Sequence, residues 1–216
     1  MGRGGRAFAR VIVQLLLVAS FVMWLLLCLS TPTVKMFPAA VTQFDNGFTL
    51  RLGIFGYCAG DVCPKTSIGY KVDPALLPTP VYSPYPKNPE LNQIMNYKLV
   101  GAMLLAPLMA GQLLLALMAS LVPQRFFSLV TVVFTLLAWQ LGVVILIVHC
   151  ITFVGADARI RLLYPDNTLN SYLSIATWFL FSGEALAIAA FVFSFCAIEP
   201  RRKTGLRAGE TGLVAL

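Results

Sequence analysis

VIVQLLLVASFVMWLLLCL, residues Val11 to Leu29, carries no charged side chain. A helix rises 1.5 Å per residue, so roughly 20 such residues cross the ~30 Å hydrocarbon core of a bilayer. Three more runs share this character: Leu99 to Val122, Leu129 to Val154 and Ser174 to Ile198. Lipid offers no partner to a backbone N–H or C=O, so each run must satisfy its own groups as a helix. The reading is an all-α transmembrane chain, a membrane bundle of four helices.

Composition points the same way. Hydrophobic residues make up 58% of the 216 and charged residues 12%, with a mean hydropathy of +0.81. A soluble domain carries about 25% charged residues, too many more for this chain to keep a globular surface in water. The net charge of +7 comes from the termini and loops, and Glu184 alone puts a charge-bearing group inside a run. A nucleic-acid-binding protein would instead show a basic face on a soluble domain.

The first run is longer than the roughly 7–15 apolar residues of a cleaved signal, and no Ala-x-Ala follows it. It reads as a retained signal anchor. Gly2 has no Ser or Thr at position six, so myristoylation is not expected. Orientation follows the basic residues of the short flanks. Arg3, Arg6 and Arg10 precede the first run, Arg125 lies between the second and third, and Arg201, Arg202, Lys203 and Arg207 follow the fourth. The short loop on the other side has Arg159 and Arg161, offset by Asp157 and Asp166. Both termini are therefore expected in the cytosol. The segments are a cytosolic N-terminus 1–10, spans 11–29, 99–122, 129–154 and 174–198, an outer loop 30–98, a cytosolic turn 123–128, a second outer loop 155–173 and a basic cytosolic tail 199–216.

The first outer loop is long enough for a small module. Phe44 to Tyr57 mixes apolar and polar residues with Gly47, Gly53 and Gly56, which suggests short strands and turns. Residues 73–90 hold Pro74, Pro78, Pro80, Pro84, Pro86 and Pro89, a density that favours an extended polyproline-like spacer. Tyr82 and Tyr85 stand among these prolines. Cys58 and Cys63 are the loop's two cysteines, and an oxidising outer face favours a disulfide pinning a turn between them. The pair lacks the further ligands of a zinc site.

Cys28, Cys150 and Cys196 lie at or near helix ends, where a thiol usually serves as a small hydrophobe. Cys196, beside the basic tail, is a candidate for palmitoylation. An acid within a span is a candidate for ion or proton transfer. A relay needs several groups in line, and His149 near the outer end is the one other titratable group of this kind. The favoured expectation is an intramembrane polar cluster in which Glu184 bonds Gln140 or Gln112 and sets helix register. Ala102, Ala106 and Ala110, and Gly183 with Ala187, supply small residues for helix contacts, and Pro107 is expected to kink the second helix. No phosphate-binding glycine loop, HExxH motif, serine elbow or N-glycosylation sequon occurs, and no cofactor is expected.

Ser30-Thr31-Pro32-Thr33-Val34-Lys35 follows the first run, then Leu52-Gly53-Ile54-Phe55-Gly56-Tyr57-Cys58, Cys63 and Ile68-Gly69-Tyr70. This order resembles the fungal PalI and eisosome-tetraspan family, itself distantly similar to claudins, and is closest to the PalI-type pH-response regulators. The family motif falls on Gly53, Gly56, Tyr57, Cys58, Cys63, Gly69 and Tyr70. The resemblance implies a claudin-like four-span layout with a small disulfide-pinned, β-rich outer module. It also implies a non-catalytic plasma-membrane accessory that assists a seven-helix sensor of ambient alkaline pH. Phe55 stands where a claudin tryptophan would, so a paracellular barrier is not implied. An eisosome-type scaffold of membrane microdomains is the alternative, and a channel or transporter using Glu184 is a third reading. The expected partners are membrane lipids and that sensor, with no nucleic acid.

Overall fold

Four helices long and apolar enough to cross a membrane run over Ala7–Cys28, Gly101–Leu121, Phe126–Arg159 and Ile175–Ala197. The computed structural model describes residues 3–29, 37–43, 47–64, 70–72, 101–122, 125–163 and 169–197. In chain order the elements are α1 (Arg3–Cys28), β1 (Ala39–Gln43), β2 (Thr49–Leu52), β3 (Tyr57–Ala59), α2 (Leu105–Leu121), α3 (Arg125–His149), α4 (Gly155–Leu163), β4 (Leu169–Leu173) and α5 (Ile175–Ala197). The Ser30–Lys35 motif, the proline-rich stretch 73–90 with Tyr82 and Tyr85, Gly69, and the tail 199–216 lie outside the described residues.

Hydropathy does not tell the inward face of these helices from the outward one, because lipid and bundle interior are equally apolar. Spacing and size do. On α1, Val13, Leu17, Ser20, Trp24 and Leu27 are buried, alternating steps of four and three residues along one seam. Val11, Leu15, Val18, Val22, Leu25 and Leu29 repeat the same steps on the exposed side, where they meet lipid. On α5 most of the buried residues are also small. Ala176, Gly183, Ala187, Ala190 and Ala197 are buried, while Trp178, Phe181, Val192, Phe193 and Phe195 face out. Association in lipid comes from close packing rather than from escape from water, so small residues belong at the contact.

The helices form a ring in which α1 packs on α5 and α2, and α3 packs on α2 and α5. The α1–α5 contact is the most extensive of these. Ser20 and Trp24, one turn apart on α1, straddle Gly183. The Ser20 hydroxyl donates to the Gly183 carbonyl at 2.8 Å, and a Cβ on Gly183 would sit 3.1 Å from the Trp24 ring. Pro107 falls in the first turn of α2, after a 3-10 turn over Gly101–Leu104. There its missing N–H removes no bond from the body of the helix, so it marks the start of α2 rather than a mid-helix kink.

At one end of the bundle sits a four-stranded antiparallel sheet, ordered β3-β2-β1-β4. β1 pairs with β2, Val41 opposite Leu50, and on its other side with β4, Val41 opposite Ser171. The alternating residues Ala39, Val41, Leu50 and Leu52 are buried and join the core shared with the helices. The expected β-rich module is therefore present, but its fourth strand comes from the second loop. The third helical stretch also runs further than Val154. One π-helical turn, Cys150–Val154, leads into α4, whose Asp157 and Arg159 belong in water beyond the hydrocarbon.

Candidate functional site

The described residues of the family motif, Gly53, Gly56, Tyr57, Cys58, Cys63 and Tyr70, gather into one knot at the edge of the sheet. Gly53 and Gly56 close the reversal from β2 to β3, with the Gly53 N–H donating to the Gly56 carbonyl at 2.8 Å. Tyr57 and Cys58 then lie on β3, paired with Leu52 and Arg51. Gly60, at φ +58°, turns the chain in the left-handed region that a side chain would strain. Its N–H returns to the Thr49 carbonyl at 2.9 Å. The Cys58–Cys63 disulfide closes this turn, with Cα atoms 4.2 Å apart. Tyr70 folds back over the knot: its hydroxyl donates to the Gly53 carbonyl at 2.8 Å, and its ring lies 5.6 Å from that of Tyr57. Burial pushes the Tyr70 phenol well above its ordinary value, so it stays a donor.

A second constellation fastens the sheet to the helices. The Pro38 carbonyl, just before β1, accepts from the Ser174 N–H at 3.0 Å and from the Thr177 hydroxyl at 2.8 Å. His149 Nε2 lies 3.2 Å from the same Thr177 oxygen. Thr177 has one proton and spends it on Pro38, so its oxygen accepts and Nε2 carries the hydrogen. His149 is fully buried, and its ring packs 5.1 Å from Phe153 on the π-helical turn. The sequence placed His149 near this end, but its partner Thr177 is 28 positions away, Pro38 is 139 positions from Thr177 in turn, and no local spacing signals either.

The expected bond of Glu184 with Gln140 or Gln112 is not formed. Glu184 is buried, yet neither carboxylate oxygen has a hydrogen-bond partner among the described residues. Gln140 is exposed on the lipid side. The reason is helical phase: Ala138 and Gly142 point inward, and Gln140, two residues from each, is turned by about 200° to the opposite side. The Gln112 side-chain oxygen is buried and likewise without a partner. Glu184 instead presses on Gly142 of α3, whose missing side chain leaves room for the carboxyl. Cys196 is exposed near the end of α5, and Cys28 and Cys150 are half-buried free thiols. Among the described residues no three His, Cys, Asp or Glu side chains gather as a metal site would need.

These features place a small antiparallel sheet with a disulfide-closed turn on a four-span bundle. One curated relative, the pH-response regulator protein palI/RIM9 of Emericella nidulans, is 42% identical to this chain over 59 residues. The likeness is homology to the fungal palI/RIM9 family. It covers 27% of this chain and 10% of that relative, so most of the relative's length has no counterpart in the match. No family model matches the chain.

Proposed function

We propose that this chain is a non-catalytic accessory of fungal ambient-pH signalling, held in the plasma membrane with its sheet outside and both termini in the cytosol. The homology to a palI/RIM9 pH-response regulator carries the reading. The basic residues in the sequence flanking the spans support the orientation, and the disulfide suits an oxidising outer face. The outer knot of Gly53, Gly56, Tyr57, Cys58 and Cys63 is the contact scaffold for a seven-helix pH sensor, and the lipid-facing helices run beside it. The protein acts by keeping that sensor at the cell surface.

Deleting the gene should lower the amount of sensor at the surface and impair growth at alkaline pH. Unchanged sensor abundance together with normal alkaline growth would sink the proposal.

A further inference from the structure

At the end of the bundle opposite the sheet, all four spanning helices meet around a small, half-open pocket. Arg10 of α1, Ser120 of α2, Ser128 and Thr131 of α3 and Ser194 of α5 line it. Arg10 lies 18 residues before Cys28, the last residue of the first span, or roughly 27 Å along the helix axis. That separation puts its guanidinium at the headgroup level of the leaflet facing away from the sheet.

Among the described residues no carboxylate lies at this pocket. The described carboxylates are Asp61, Asp157 and Glu184. Asp61 lies in the outer turn, Asp157 on α4 beside the sheet and Glu184 in the middle of α5, so none reaches Arg10. Helix ends would ordinarily supply the countercharge, because the last carbonyls of a helix are its negative end. Two helices end here: on α2, Val122 donates to the Ala119 carbonyl at 3.2 Å and Gln14 Nε2 to the Ser120 carbonyl at 3.1 Å, while Ala197, the last residue of α5, lines the pocket itself.

The hydroxyls are adaptable. Ser120, Thr131 and Ser194 each donate to a carbonyl three or four residues back, at 2.7, 2.9 and 2.7 Å. In the body of a helix such a carbonyl also accepts a backbone N–H. A hydroxyl that rotates toward an incoming anion therefore leaves no carbonyl stranded.

We propose that this four-helix junction binds the phosphate group of an anionic phospholipid, with Arg10 as the charged ligand and the surrounding hydroxyls as neutral donors. The fatty chains would lie along the exposed apolar sides of the helices. In the orientation proposed above, the site faces the cytosolic leaflet, where anionic lipids concentrate. Lipid binding and sensor abundance are read by separate assays, so either assignment can fail without the other.

The test uses the full chain purified in mild detergent. Binding of short-chain phosphatidylserine, short-chain phosphatidylcholine and inorganic phosphate is compared by native mass spectrometry and thermal shift. Phosphatidylserine should bind best. Arg10→Gln should weaken it about fivefold, the effect of one basic group at a membrane surface, while Arg10→Lys should keep most of it. Arg10→Lys also guards against simple misfolding. Equal binding of phosphatidylserine by wild type and Arg10→Gln overturns the site. Equal binding of phosphatidylcholine overturns the anionic preference, and inorganic phosphate binding as tightly as the lipid overturns the lipid assignment.

Discussion

The carboxyl group of Glu184 fills the space that a side chain on Gly142 would need. An acid on α5 and a glycine on α3 are thus a matched pair, joined by shape and not by a hydrogen bond.

Gly142→Ala should drive a methyl group into that carboxyl and destabilise the bundle by about 1–3 kcal/mol, the usual range for overpacking. Glu184→Ala in the same chain should recover most of the loss by emptying the site. Thermal unfolding of the two single variants and the double variant checks this. Strictly additive losses would show that the two side chains do not share the space.

Thr177 joins the sheet to the bundle through Pro38 and His149. Thr177→Val keeps the shape but removes the hydroxyl, stranding buried polar groups at about 1–3 kcal/mol. The loss should be local. Amide exchange should speed up in β1 and β4 while the middle of α1 and α5 stays protected. Uniform loosening of the whole chain would contradict a hinge at this position.

Tyr70 makes the outer knot sensitive to alkali. Its phenol is raised in the folded chain by burial, whereas in the unfolded chain it ionises near about 10. Stability from this group is complete below the unfolded value and falls as pH rises above it, because only the unfolded chain then releases the proton readily. Tyr70→Phe should cost about 1–3 kcal/mol at neutral pH by leaving the Gly53 carbonyl unpaired. It should also flatten the decline above pH ~10. Unfolding midpoints measured against pH decide it, and parallel curves for both proteins would refute it.

The Cys58–Cys63 bridge closes a short turn, so it constrains little of the unfolded chain. Replacing both cysteines with serine should cost less than the about 3 kcal/mol of a fifteen-residue loop, and the four helices should still form. Gly60→Ala should cost about 1–2 kcal/mol on its own, because it places a Cβ in the left-handed region. Circular dichroism and thermal unfolding read both effects. Loss of the helical signal on removing the bridge would mean that the sheet holds the bundle together.

The bundle was legible from the chain because lipid imposes a rule on consecutive residues: about twenty apolar ones in a row must form a helix. The disulfide was legible too, since two outer cysteines five positions apart leave few alternatives. The polar cluster was misread because depth was counted without phase. Ala138 and Gly142 share the inward face of α3, and Gln140 stands opposite it, so equal depth did not mean contact.

Other features have no local signature. β4 lies more than a hundred residues from the strand it pairs with, Leu169–Leu173 against Ala39–Gln43. The Pro38–Thr177–His149 chain draws on three separate elements. The pocket around Arg10 needs all four helices, and its hydroxyls look like ordinary helical serines and threonines in the sequence. Periodicity and hydropathy describe one segment against its solvent. Which segments face each other, and which polar groups are left for a ligand, is settled by packing between distant parts of the chain.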